Sequence, residues 1–174
     1  GDCGEIGKFQ YAPLIGPDIL SGILVNTTGR SVFDFATEYL FTPLGIEVKD
    51  KITFSSEEEQ VAFLKAKDIN GWVIDSCGIN AAGWGLTLST RAMAKIGQLY
   101  LNQGRWNKQQ IVSKQWVIDS IKKQSYNDEL NLAYGYLWWL HQDGFMAMGD
   151  GGNVIYVNII KKIVISITAT FKPD

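Results

Sequence analysis

The 174 residues, 46% apolar and 20% charged, suit one folded domain with a hydrophobic core and exclude a disordered chain. A net charge of −2 with Lys and Arg scattered along the sequence gives no footprint for nucleic acid and no polybasic membrane patch. No apolar run reaches the ~18 residues a membrane span needs, and two cysteines (Cys3, Cys77) with one histidine (His141) are too few for a disulfide framework or a zinc site. Two separate thiols is the simpler reading of the cysteines, a single bridge the alternative.

Up to about residue 130 the apolar spacing is helical. Asp18 is expected to cap a helix whose apolar face is Ile19, Leu20, Ile23 and Leu24 and which ends at Gly29. Ser31 opens a second helix with Val32, Phe35, Ala36 and Tyr39 on one side, stopped before Pro43. Ser56 and Glu59 form a capping box ahead of Val61, Phe63 and Leu64. The acidic run Glu57 to Glu59 is read as a solvated first turn, favoured by the helix dipole. Ser89 opens a helix carrying Met93, Ile96 and Tyr100, with Gly104 beyond its end. Ser113 opens another with Trp116, Val117 and Ile121. Trp72, Trp84, Trp106 and Trp116 read as core or loop anchors.

From about residue 131 the period changes to two. Tyr134, Tyr136, Trp138 and Leu140 fall on one side of a predicted strand, followed by an Asp143-Gly144 turn. Further strands are predicted through Phe145 to Met148, Val154 to Val157 and Ile163 to Phe171, the last after Lys161-Lys162. Short connections imply an antiparallel meander, and its apolar face has to be covered by helices. The predicted fold is a single α+β domain over 1–174, helical to about 130 and sheet from about 131.

Four stretches carry a family likeness: Ile19 to Glu47, ending in "LFTPLGIE"; Gly83 to Val117, "GWGLTLSTRAMAKIGQLYLNQGRWNKQQIVSKQWV"; Tyr134 to Trp139, "YGYLWW"; and Ala147 to Val157, "AMGDGGNVIYV". In this order they resemble the class C β-lactamase-related serine hydrolases, including the 6-aminohexanoate-dimer hydrolase branch, within the β-lactamase and penicillin-binding-protein superfamily. The resemblance implies part of a β-lactamase/transpeptidase-like fold. It also implies acyl transfer through a serine ester and hydrolysis of amide or ester bonds in a small molecule or peptide, without a cofactor. It favours an extracytoplasmic or cell-envelope location.

That chemistry needs a Ser-x-x-Lys on a helix, where the amine takes the hydroxyl proton. It needs a Tyr-x-Asn wall to shuttle the proton, and a sheet-edge triplet ending in Gly. The residue after that Gly donates a backbone N–H to the developing oxyanion. By likeness Tyr11 is the candidate proton shuttle, although Pro13 replaces the Asn; a Tyr packed at a helix entry is the competing reading. Ala147, Met148 and Gly149 stand at the triplet and are candidate substrate-binding residues, with the Asp150 N–H as oxyanion donor; a plain strand end and turn is the alternative. Ala in place of Lys removes the cation that would grip a substrate carboxylate, which points to neutral ester and amide substrates.

Trp138 and Trp139 lie on opposite strand faces, so one is expected in the core and the other is free to line a pocket; the sequence does not say which, and Trp139 is the candidate substrate-binding residue. Ser120 to Lys123 is the one Ser-x-x-Lys here, but it follows the other motifs and sits late in its helix, so it is read as coincidence. His141, without metal-ligand partners, is read as a surface or capping residue. No Gly-x-Ser-x-Gly elbow is present, which argues against an α/β-hydrolase.

The nucleophile is therefore expected from polypeptide outside these residues. An exposed sheet edge is expected too, satisfied by that polypeptide or by self-association with a second copy. A non-catalytic binding module, for example for cell-wall peptides, is the competing class, and Pro13 and Ala147 favour it. An unrelated α+β domain would show parallel strands.

Overall fold

The computed structural model describes residues 7–169. Helix α1 (Ile15–Thr28) ends at Gly29, whose left-handed backbone (φ 66°) turns its N–H onto the Val25 carbonyl at 2.9 Å. It starts before Asp18, and Asp18 is not its cap. Ile19, Leu20 and Ile23 are more than half exposed, while Leu24 and Val25 pack inward. The expected apolar face is thus buried at its C-terminal half only.

Ser31 caps α2 (Val32–Ala36), its Oγ accepting the Asp34 N–H at 3.0 Å. The helical run does not stop before Pro43. It widens into a π turn at Thr37–Phe41 and continues as α3 (Thr42–Leu44) to Gly45. Pro43 lies in that last piece, directly after the π turn. The short strand β1 (Asp50–Ile52) precedes α4 (Glu57–Lys65), capped by Ser56 as expected. Strand β2 (Gly71–Val73) pairs with β1 in parallel.

Helix α5 (Thr90–Leu101), capped by Ser89, is the spine of the molecule. Ala92 and Leu99 face one cluster with Val32, Phe41, Leu44, Ile46 and Trp72. Met93, Ile96 and Tyr100 face a second, built on Trp138, Phe145, Ile155 and Val157. Gly97 lets α5 settle on the sheet: a Cβ there would stand 2.7 Å from Val164 Cγ1 and 2.9 Å from Ile155 Cγ2. A small hairpin, β3 (Arg105–Trp106) and β4 (Gln109–Gln110), follows, then α6 (Lys114–Ser120), capped by Ser113. Trp116 is not an anchor in the core; it lies half exposed, stacked on Tyr136 at 5.6 Å.

The sheet is the expected antiparallel meander, with one strand more at its start: β5 (Ser125–Asn127), β6 (Leu132–Tyr134), β7 (Trp139–His141), β8 (Gly144–Gly149), β9 (Asn153–Asn158) and β10 (Ile163–Ile167), neighbours in chain order. The run from Tyr134 to Leu140 is not one strand. It turns at Gly135–Trp138, with the Gly135 N–H bonded to the Trp138 carbonyl at 2.8 Å. Close approach explains this, since a Cβ on Gly135 would lie 2.2 Å from the Ser120 carbonyl oxygen. Among the described residues β10 and β5 are the two outer strands, and Ile163, Ile165 and Ile167 are about half exposed along β10. Phe171, placed in this strand from the sequence, lies outside the described residues.

Among the described residues no helix is long and apolar enough to cross a membrane. Cys77 carries an exposed thiol, and Cys3 lies outside the described residues.

Candidate functional site

Strand β8 is longer than its partner on one side. Pairing with β7 ends at Met146 opposite Trp139, while pairing with β9 continues to Gly149 opposite Asn153. Ala147, Met148 and Gly149 therefore have a strand neighbour on the β9 side only, which leaves one edge of the backbone to other partners. Beyond Gly149 the chain makes a single 3-10 turn, Asp150–Gly152. Asn153 holds this turn: its amide donates to the Asp150 carbonyl at 2.7 Å, and its own oxygen accepts the Ala169 N–H at 3.0 Å.

Tyr11 reaches this strand end from the other end of the chain. Its ring lies edge-on to Trp139 at 4.9 Å and to Tyr134 at 5.8 Å; Tyr134 and Trp139 are 4.5 Å apart, and Phe9 lies 5.5 Å from Tyr134. Burial pushes the Tyr11 phenol above its ordinary range, and the nearby Asp150 carboxylate pushes the same way. The Trp139 indole N–H, donating to the phenol oxygen, partly offsets both. Tyr11 is thus a neutral phenol at physiological pH. A cation placed beside it would draw it down, and none figures among the causes of its shift.

Of the residues singled out from the sequence, Tyr11, Trp139 and Asp150 come together. Met148 and Gly149 are exposed on the overhanging strand. Ala147 turns its methyl toward the Trp138–Phe145 cluster, so only its backbone faces the open edge. Trp138 packs in that core, while Trp139, buried to 3% exposure, packs on Tyr11 and Tyr134 instead. Ser120 is fully buried, with its hydroxyl donating to the Val117 carbonyl at 3.0 Å. Lys123 lies over the Tyr126 ring at 4.9 Å. Their spacing is incidental. His141 is exposed and accepts the Asp143 N–H at 3.4 Å. Among the described residues no group of three His, Cys, Asp or Glu could hold a metal ion.

Tyr134 and Phe9 were not foreseen. Tyr134 follows from the β6–β7 register, which sets it opposite Trp139. Half-burial pushes its phenol up to about 12, with Tyr11 adding to the rise. Both phenols keep their protons in the folded chain at pH values where unfolded phenols, near 10.0, lose them. Their contribution to stability is complete below pH 10 and is lost as pH rises toward 12. Urea unfolding followed from pH 9 to 12 is expected to show a steeper loss in the parent than in Tyr134→Phe. Identical slopes would refute it.

No family model and no curated protein matches this chain. A solved structure described as a 6-aminohexanoate-dimer hydrolase from Bacillus anthracis does match it, with a TM-score of 0.74 and 23% sequence identity. The match covers 99% of this chain and 41% of that one. The chain thus spans about two fifths of the length of the structure it resembles, and its α+β fold is that of the matching part of that structure.

Proposed function

We propose that this chain supplies the sheet side of a serine acyl-transfer site acting on neutral amide or ester bonds. The observation that carries the proposal is the meeting of the Tyr11 phenol with Trp139 and Asp150 beside the overhanging end of β8. A substrate carbonyl laid along Ala147 to Gly149 would have its oxygen within the direction of the Asp150 backbone N–H. There, donors fixed in place favour the negative charge that grows in the transition state.

The serine Oγ, from polypeptide outside these residues, bonds to the carbonyl carbon. Its proton passes through the Tyr11 oxygen to the leaving amine or alcohol as the C–N or C–O bond breaks. Water then attacks the acyl ester, gives up its proton by the same route, and frees the serine. An amine or ammonium supplied with the serine would have to face Tyr11, because the phenol as it stands here is a poor base. Ala147 leaves no cation for a substrate carboxylate on the strand, and the exposed neighbour, Met148, is apolar. Both features favour uncharged acyl groups.

A second reading, a binding module without catalysis, is favoured by Pro13, which has no amide where the shuttle's partner would stand, and by the raised Tyr11 phenol. The two readings part on one measurement. Protein that includes the polypeptide preceding residue 1 is treated with a fluorophosphonate, and the modified residue is mapped by mass spectrometry. One labelled serine, followed three residues later by Lys, is expected. Absence of any label would favour the binding module, and a label on Ser120 would contradict both its burial and the proposal.

A further inference from the structure

The start of α1 is poorly held by apolar contacts. Leu14, Ile15, Ile19 and Leu20 are all more than half exposed, and Ser21 is the buried residue of this helix. Leu14, at the N-cap, makes no side-chain cap bond. Yet Tyr11, just upstream, has a defined place against Trp139. Beyond the ring contacts of Tyr11 itself, polar and backbone contacts fix the chain there.

Two features of the loop between β2 and α5 do so. The Asp18 carboxylate accepts two backbone N–H groups with one oxygen, from Ala82 at 2.8 Å and Gly83 at 3.1 Å. Charge-assisted bonds of this kind are short and strong. Gly83 also lies directly against the chain that leads from Tyr11. A Cβ there would stand 2.7 Å from Leu14 Cα, 2.8 Å from the Pro13 carbonyl oxygen and 2.9 Å from that of Leu14. Those are backbone atoms, which cannot swing aside as a side-chain tip can.

The loop itself is firmly seated. Asn80 is buried and accepts the Phe33 N–H at 3.0 Å. The Ala81 N–H donates to the Val73 carbonyl at 3.0 Å, and the Ala81 carbonyl accepts the Trp72 indole N–H at 2.8 Å. A rigid proline then stands two residues from Tyr11, so a displacement at Pro13 is passed on rather than absorbed.

We propose that Asp18 and Gly83 are positioning residues: they clamp the start of α1 to the core-anchored loop at 80–83 and so hold Tyr11 against Trp139. The importance of the clamp for chemistry rests on the reading of Tyr11 as proton carrier, but its existence does not. It can therefore be tested in this chain without substrate or nucleophile.

Protein labelled with 13C at the tyrosine Cζ is titrated by NMR, the Tyr11 signal being assigned with Tyr11→Phe. In Asp18→Ala and in Gly83→Ala the Tyr11 midpoint is expected to fall back toward 10.0, its ordinary value, and the ring-current shift from Trp139 to shrink. Asp18→Asn, which keeps an oxygen acceptor, should restore much of both. The ring shifts of Tyr100, in the α5–sheet cluster, report whether the core is intact. If Gly83→Ala disturbs the core, Asp18→Ala, which removes only an exposed side chain, decides. An unchanged Tyr11 midpoint and ring shift in folded Asp18→Ala would overturn the clamp. A displaced Tyr11 in protein that is never labelled by fluorophosphonate would leave the clamp standing and remove only its catalytic meaning.

Discussion

Phe145→Ala is expected to lower stability by about 3–5 kcal/mol, the usual cost of emptying a buried aromatic site. Phe145 is 1% exposed and stands edge-on to Trp138 at 4.9 Å and to Tyr100 at 6.0 Å. It sits where β7, β8 and β9 meet, opposite Leu140 and Val157, so few neighbours can collapse into the space it leaves. At about 2–4 °C per kcal/mol for a chain of this size, the melting midpoint should drop by roughly 10 °C. Thermal and urea unfolding followed by circular dichroism would measure it. A loss under about 1 kcal/mol, below the range seen for buried aromatics, would mean that the α5–sheet cluster is not the packed core described here.

In protein that includes the nucleophile, Tyr11→Phe is expected to lower kcat for a nitrophenyl ester by about 10²- to 10⁴-fold, the usual contribution of a positioned proton carrier. KM should change little, because the ring that packs on Trp139 remains and only the hydroxyl is lost. Stability should fall by about 1–3 kcal/mol, because the buried Trp139 indole N–H loses its acceptor. Tyr134→Phe serves as the comparison. Its ring touches the same aromatic group, but Asp150 does not figure among the causes of its shift, so its loss should leave kcat within a few-fold. If Tyr11→Phe hydrolyses the ester as fast as the parent, Tyr11 is not on the proton path.

The meander and its helical cover were legible because they rest on local signals. Ser31, Ser56, Ser89 and Ser113 each cap the helix expected of them, since a hydroxyl that satisfies a free N–H acts within three residues. Asp18 misled for the same reason. It has the cap residue's chemistry, but its oxygen is used 64 and 65 residues away, and no local pattern encodes a partner at that distance. The turn at Gly135 was hidden likewise: alternating Tyr134, Tyr136 and Trp138 look like one strand until the Ser120 carbonyl beneath Gly135 is known. The two-residue and three-residue strands before residue 130 are too short to show a period at all.

In the candidate site, the spacing of "AMGDGG" located the strand end, and the family likeness located Tyr11. The likeness also implied that the two lie near one another, but that β8 outruns β7 by three residues there rests on a register no local pattern shows. The aromatic surround of Phe9 and Tyr134 depends on the same register.

The adjacent indoles of Trp138 and Trp139 give the chain a built-in pair of reporters. Labelled with 5-fluorotryptophan, position 138 would respond to loosening of the α5–sheet cluster and position 139 to displacement of the Tyr11 ring packed on it. A change that moves the second 19F resonance while leaving the first in place would then report movement of Tyr11 rather than loosening of the core, from neighbouring probes in one spectrum.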